Sequence, residues 1–225
     1  MEYMKTIPDK FFNLAIVDPP YGINADKFNN GAGLQDHAES STAKKIREKG
    51  RLNQGSGKLK NRLLNTSDCS WDSSPPPQEY FQELFRTCEN LIIWGGNYFD
   101  LPPTRCVVVW DKQQPWENFS QVEIAWTTFD YPAKIFRYCN AGGANGNINK
   151  IHPCQKPVAL YDFLIKTFAK AGDKIFDSHM GSQSSRIAAY KANLDYYGCE
   201  LNEFYYKLGE ERFSKFSAQM NLFVD

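Results

Sequence analysis

The stretch KIFDSHMGSQSSRIAAYKANLDYYGCE, residues 174–200, decides the fold. Lys174 to Ser178 opens it with an apolar run that reads as a short buried strand. Small residues follow, and a helix is predicted from about Ser184 to Ala192. A second strand is predicted over Tyr196 to Leu201, and a closing helix from Glu203 to about Phe216. Strands that alternate with helices, and are themselves apolar, predict an α/β sandwich on a mostly parallel sheet. A turn of small residues between strand and helix lets a ligand approach the main chain, and the helix N-terminus favours electronegative atoms. Glu200 lies 23 residues beyond Asp177, near the offset of about 20 at which an acid grips ribose hydroxyls in a nucleotide-binding strand-helix-strand unit. With Gly181 as its one glycine, the loop taken alone reads equally as a helix cap at Ser182 or Ser184.

The same alternation extends upstream. A helix is predicted over Val158 to Ala171, with Leu160, Phe163, Leu164, Thr167 and Phe168 on one face. Strands are predicted at Leu91 to Trp94, Cys106 to Trp110 and Val122 to Phe129, and Arg137 to Lys150 reads as a Gly/Asn-rich connection. After Pro75-Pro76-Pro77 a helix places Tyr80, Phe81, Leu84, Phe85 and Cys88 on one face. The first strand, Asn13 to Val17, is stopped by Asp18-Pro19-Pro20-Tyr21-Gly22. Between them, residues 24–77 carry no sustained periodicity beyond a short helical pattern at Thr42 to Leu52, so the segment is expected to be a flexible functional insert within one domain spanning 1–225.

Charge is balanced over the chain, 26 basic against 26 acidic residues, so the whole says nothing of an anionic partner. Its distribution does: Lys44, Lys45, Arg47, Lys49, Arg51, Lys58, Lys60 and Arg62 face only Glu48 between Ser41 and Leu64, a net +7 on an otherwise acidic body. That is the footprint of phosphate contacts, although a solvated loop would carry it too. The six cysteines occur without a C-x-x-C pair or zinc spacing and are read as reduced thiols; no metal site is expected. The polar start of the chain and the lack of a long apolar run predict a cytoplasmic protein.

Two further motifs carry chemistry. An aspartate followed by a stiff diproline presents a carboxylate and a main-chain carbonyl as fixed acceptors, and Tyr21 offers a flat ring beside them. Asp18, Pro19, Pro20 and Tyr21 thus form a mould for an amino group on a planar heterocycle, at the carboxyl end of a strand where ligands sit in open α/β sheets. A strand-ending turn with a solvated aspartate is the plainer reading. His152-Pro153-Cys154-Gln155-Lys156-Pro157 precedes a helix, with Pro157 expected in its first turn.

D-P-P-Y after an apolar strand, then H-P-x-Q-K-P, then F-D-x-x-x-G-S, then an acid after the next strand, resembles the amino-methyltransferases of DNA. With the D-P-P-Y motif ahead of the F-D loop, the order resembles the circularly permuted beta class, found among restriction-modification enzymes. The resemblance implies a Rossmann-like methyltransferase sandwich with a seven-stranded sheet, and S-adenosylmethionine as cofactor. It assigns Asp177, Gly181, Ser182 and Ser184 to the cofactor loop, Glu200 to the ribose, and His152, Gln155 and Lys156 to the methionine end. Asp18, Pro19, Pro20 and Tyr21 would hold a base rotated out of double-stranded DNA, adenine N6 being expected from the aspartate at position 18 and cytosine N4 the alternative. The basic insert would contact the DNA, and a homodimer is expected by analogy with the class. Ser178, His179 and Gln183 depart from the family loop D-P-F-x-G-S-G, and Gln183 keeps open a non-catalytic, nucleic-acid-binding relative. Pro153-Cys154 imitates the nucleophile motif of cytosine C5 enzymes, but the surrounding H-P-C-Q-K-P and the motif order argue against Cys154 as a nucleophile.

Overall fold

A computed structural model describes residues 1–23, 71–113, 120–139, 150–152 and 154–221. The eight basic residues from Lys44 to Arg62, and the helical pattern at Thr42 to Leu52, lie outside the described residues.

In chain order the elements are α1 (Glu2–Lys5), β1 (Phe12–Val17), α2 (Gln78–Thr87), β2 (Cys88–Trp94), β3 (Val107–Asp111), β4 (Val122–Thr127) and β5 (Lys134–Arg137). They continue with α3 (Val158–Phe168), β6 (Lys174–Asp177), α4 (Ser184–Lys191), β7 (Asp195–Gly198) and α5 (Glu203–Asn221). The strands form one seven-stranded sheet in the order β5-β3-β4-β2-β1-β6-β7. β4 runs antiparallel to both its neighbours, and the other pairings are parallel. The mostly parallel α/β sandwich expected from the alternation is the fold observed.

Side-chain alternation along the central strands builds two cores, one on each face of the sheet. Leu14, Ile16, Ile92 and Trp94 meet Leu160, Leu164 and Phe168 of α3 and Ala188 and Ala189 of α4. Ala15, Val17, Leu91 and Ile93 meet Met4 of α1 and Tyr80, Phe81 and Leu84 of α2. Burial on both faces explains why β1 and β2 read as near-continuous apolar runs.

Some boundaries differ from the sequence expectation. Cys88 leaves the α2 face and opens β2, with the extended backbone of a strand (φ −117°, ψ 145°). The buried face of α3 is Leu160, Tyr161, Leu164, Ile165 and Phe168, with Phe163 and Thr167 only partly covered, and the helix stops at Phe168. Pro157 is its N-cap and precedes the first turn. β7 begins at Asp195 and ends at Gly198 because β6, its partner, ends at Asp177; Glu200 and the fully exposed Leu201 lie beyond the sheet. α5 continues to Asn221. β5 was not expected: as an edge strand paired to β3 alone, it alternates cover residue by residue and shows no apolar run.

Candidate active site

Adjacent parallel strands place the two principal motifs side by side. β1 and β6 pair with Ala15 opposite Phe176, so Asp18, just past β1, and Asp177, at the end of β6, emerge at the same edge of the sheet. Loops at the carboxyl edge of such strands are where ligands bind in open α/β sheets.

The acceptor turn is clamped from several sides. Tyr21 N–H and Gly22 N–H donate to Asp72 Oδ1 at 2.8 and 3.0 Å, and Asp72 is buried. Tyr21 OH donates to Asp18 Oδ1 at 2.7 Å. The Tyr21 ring stacks on Tyr98 with centroids 5.0 Å apart and 15° between planes. Tyr21 packs closely on Gly95, at φ +70°: a Cβ there would lie 2.2 Å from its ring. Pro19 is buried and Pro20 half-buried. Burial, then the Asp18 charge, pushes the Tyr21 hydroxyl well above its usual pKa, so it serves as a donor.

Lys156 completes this half. Its ammonium lies 2.5 Å from Asp18 Oδ2 and 3.0 Å from Glu123 Oε2, and its side chain is 5% exposed. Lys112 holds the other Glu123 oxygen at 2.5 Å. Burial opposes charge on Lys156, but Asp18 and Glu123 outweigh it and raise its pKa. Burial likewise opposes charge on Glu123, yet Lys156 and Lys112 bring its carboxyl down to about 2. Both oxygens of Asp18 are therefore already accepting hydrogens from the protein's own donors.

In the second half, Asp177 orders the loop that follows it. Its Oδ2 accepts from Ser185 Oγ at 2.6 Å and its Oδ1 from His179 N–H at 3.0 Å. Glu200 accepts from Gly181 N–H at 2.9 Å and Asn202 N–H at 2.8 Å, tying the exit of β7 to the turn. Ser182 and Ser184 hydroxyls lie 3.1 Å apart, and Arg212 of α5 donates to Ser182 O at 2.6 Å and Ser184 Oγ at 2.9 Å. Burial raises the Asp177 carboxyl to about 7 against the pull of its hydrogen bonds, with Asp18 and Glu200 adding to the rise.

One segment links the halves. His152 packs against Gly181, where a Cβ would meet its ring at 3.4 Å, and lies edge-on to Tyr205 at 4.4 Å. Burial holds the imidazole neutral, with a pKa of about 4. Four residues on, Lys156 reaches Asp18. Between them Gln155 is 3% exposed; its Oε1 accepts from Ile151 N–H at 2.9 Å, and its buried Nε2 has no hydrogen-bond partner among the described residues.

The structure thus brings together all the motif residues from Asp18 to Tyr21, from His152 to Lys156, and from Asp177 to Glu200, apart from Pro153, which lies outside the described residues. It adds Asp72, Tyr98, Lys112, Glu123 and Arg212. Glu123 had a faint signal, a lone acid inside the apolar run of β4; the others had none. The resemblance assigns Lys156 to the methionine end, whereas its ammonium is bonded to the Asp18 carboxylate. Gln183, the departure from the family loop, is fully buried at φ +57° and turns toward α5. There its Nε2 donates to Glu210 Oε1 at 2.9 Å, its Oε1 accepts from Arg186 at 2.8 Å, and Gly209 makes room for it. Its side chain is committed to a structural contact behind the loop.

Among known proteins, residues 105–211 match the family described as DNA methylase, N6/N4 type. The Type II methyltransferase M.HpaI of Haemophilus parainfluenzae is 30% identical over 81 residues, a match that covers 36% of this chain and 26% of that protein. The chain thus spans about a third or less of the length of the curated relatives it matches. Among solved structures, the M1.HpyAVI-SAM complex is similar with a TM-score of 0.53 at 14% identity, covering 94% of this chain and 91% of that one. PvuII DNA methyltransferase, cytosine-N4-specific, gives 0.55 at 13% identity, covering 97% and 87%. At these identities the two structures speak for the fold alone. Through residues 105–211, the chain is similar to the N6/N4 DNA methylases.

Proposed function

We propose that the protein is a DNA methyltransferase that moves a methyl group from S-adenosylmethionine to the exocyclic amino nitrogen of a base, adenine N6, in double-stranded DNA. The observation that carries this reading is the pairing of β1 with β6, which sets the Asp18 acceptor beside the Asp177 loop while Lys156 touches the first and His152 the second. The residues present fit the cofactor. Glu200 has lone pairs left for ribose hydroxyls, and Gln155 Nε2 is a buried donor in need of an acceptor such as a carboxylate. Ser182 and Ser184 lie where the turn enters α4, whose N-terminus favours electronegative atoms.

S-adenosylmethionine, held by Glu200, Gln155 and the turn at Ser182 and Ser184, would supply a sulfonium-activated methyl, its sulfur leaving as a neutral thioether, while the amino proton released would pass by way of the Asp18 carboxylate to solvent. The chain's own part is positioning and electrostatics. Asp18 accepts amino hydrogens and so keeps the nitrogen lone pair directed outward, Pro19 offers its carbonyl, and the acceptor turn is held by Asp72. The contacts of Gln183 with α5 favour a working enzyme over a binding-only relative, because they account for the departure from the family loop by packing. In this reading the chain is of the permuted beta class, acts in the cytoplasm as a homodimer, and uses the basic segment from Lys44 to Arg62 on phosphates.

The test is incubation of unmethylated DNA with labelled S-adenosylmethionine, followed by nucleoside mass spectrometry, for wild type and Asp18→Ala. N6-methyladenine from wild type, reduced at least about a hundredfold in the variant, is the expected outcome. N4-methylcytosine would keep the mechanism and change the base; no methylated nucleoside from wild type would overturn the reading.

A further inference from the structure

We infer that Glu123 is a positioning residue that acts through Lys156 to release Asp18 for its incoming substrate, an inference that rests on the methyltransfer reading above. Each Asp18 oxygen already accepts one hydrogen, with the Lys156 ammonium 2.5 Å from Oδ2 and the Tyr21 hydroxyl 2.7 Å from Oδ1, so one lone pair is left on each oxygen and the ammonium competes with an amino group for Oδ2. Moving that ammonium off Oδ2 strengthens Asp18 as an acceptor for a base amino group. The ammonium needs a second seat, because an ammonium 5% exposed cannot be left without a counter-charge.

Glu123 provides that seat. It lies on β4, the antiparallel strand, and its Oε2 is already 3.0 Å from the same ammonium. Lys112, at the end of β3, holds Oε1 at 2.5 Å and fixes the carboxylate facing the site. Two lysines and two carboxylates make a neutral set, so moving the ammonium from Asp18 toward Glu123 separates no new charge from its partner. The Lys156 ammonium also lies over the Trp94 ring, 5.3 Å from its centroid, an aromatic face that favours the cation. A base amino group can then replace the ammonium on Asp18 while the ammonium stays paired.

Glu123→Gln keeps the size and removes the charge; Glu123→Asp keeps the charge and removes a methylene. If the charge matters, single-turnover methyl transfer falls about tenfold or more in Glu123→Gln and is at least partly restored in Glu123→Asp, with S-adenosylmethionine affinity within about twofold of wild type in both. If Glu123 only fills space, the order reverses, because the isosteric glutamine is then the milder change, and the inference is overturned. Should Glu123→Gln not fold, Lys112→Gln reads the same device from the other side. Without Lys112 the Glu123 carboxylate loses the partner that faces it toward the site, and single-turnover methyl transfer falls about threefold or more with S-adenosylmethionine affinity near wild type; transfer at the wild-type rate would overturn the inference. A wild type that methylates with Glu123→Gln at full rate sinks this inference alone, whereas a wild type that transfers no methyl group sinks the function beneath it.

Discussion

Lys156 and Asp18, 138 residues apart in the chain, form an ion pair at 2.5 Å with both side chains largely covered, at 5% and 15% exposure. A buried pair of this kind is poor evidence of net stability, but removing one partner strands the other. The two partners are not equivalent. Lys156 serves two carboxylates, whereas Asp18 shares its lysine with Glu123. Lys156→Met is expected to destabilise the fold by about 3–5 kcal/mol and Asp18→Asn by clearly less. Urea unfolding of the two variants measures the difference, and equal losses would count against the shared-cation geometry.

Asp72 holds the acceptor turn through two main-chain N–H groups on one oxygen. Asp72→Ala leaves both donors without that partner, at a cost of about 1–3 kcal/mol. Methyl transfer is expected to fall about tenfold or more while S-adenosylmethionine affinity stays near wild type, since both N–H groups that Asp72 Oδ1 holds belong to the acceptor turn. Isothermal titration and a single-turnover assay separate the two quantities; a matching loss of cofactor affinity would contradict the assignment.

A Cβ at position 209 would lie 2.6 Å from Gln183 Nε2, which is pinned by Glu210 and Arg186. Gly209→Ala is therefore expected to cost about 1–3 kcal/mol from overpacking, despite the roughly 1 kcal/mol that alanine gains over glycine in a helix. Gln183→Gly in that background removes the clash and the left-handed strain together and recovers part of the loss. Thermal melts of the single and double variants decide it; a Gly209→Ala protein more stable than wild type would show that Gln183 yields.

Asp177 has its carboxyl raised from 3.8 to about 7, chiefly by burial. A folded value above the unfolded one means that the linked stability is full below about pH 4 and is lost as pH rises through 7. Between those limits the wild type is expected to lose on the order of 2–4 kcal/mol relative to Asp177→Asn, in which the titration is gone. Urea unfolding at a series of pH values gives both curves, and parallel curves would refute the shift.

Cys154 has an exposed thiol beside the His152 to Lys156 segment. Because its H-P-C-Q-K-P setting and the motif order argue against a nucleophile, Cys154→Ala is expected to keep methyl transfer within about twofold of wild type. Loss of activity with cofactor binding intact would restore the nucleophile reading.

Local sequence determined the alternation of strands and helices, the apolar faces of β1, β2 and α3, and the three motifs, because strand periodicity, prolines and small residues act over a few neighbours. It did not determine β5, whose pairing comes from β3, nor the end of β7, which stops where β6 runs out. The site divides the same way. Asp18, Tyr21, Asp177 and Glu200 are legible because each sits at a strand end in a recognisable pattern. Glu123, Lys112, Asp72 and Tyr98 join the site only through contacts between elements far apart in the chain, and a charge inside a strand has no meaning until its partner is placed. Only the folded sheet, by laying β4, β2, β1 and β6 side by side, decides that one lysine stands between two carboxylates.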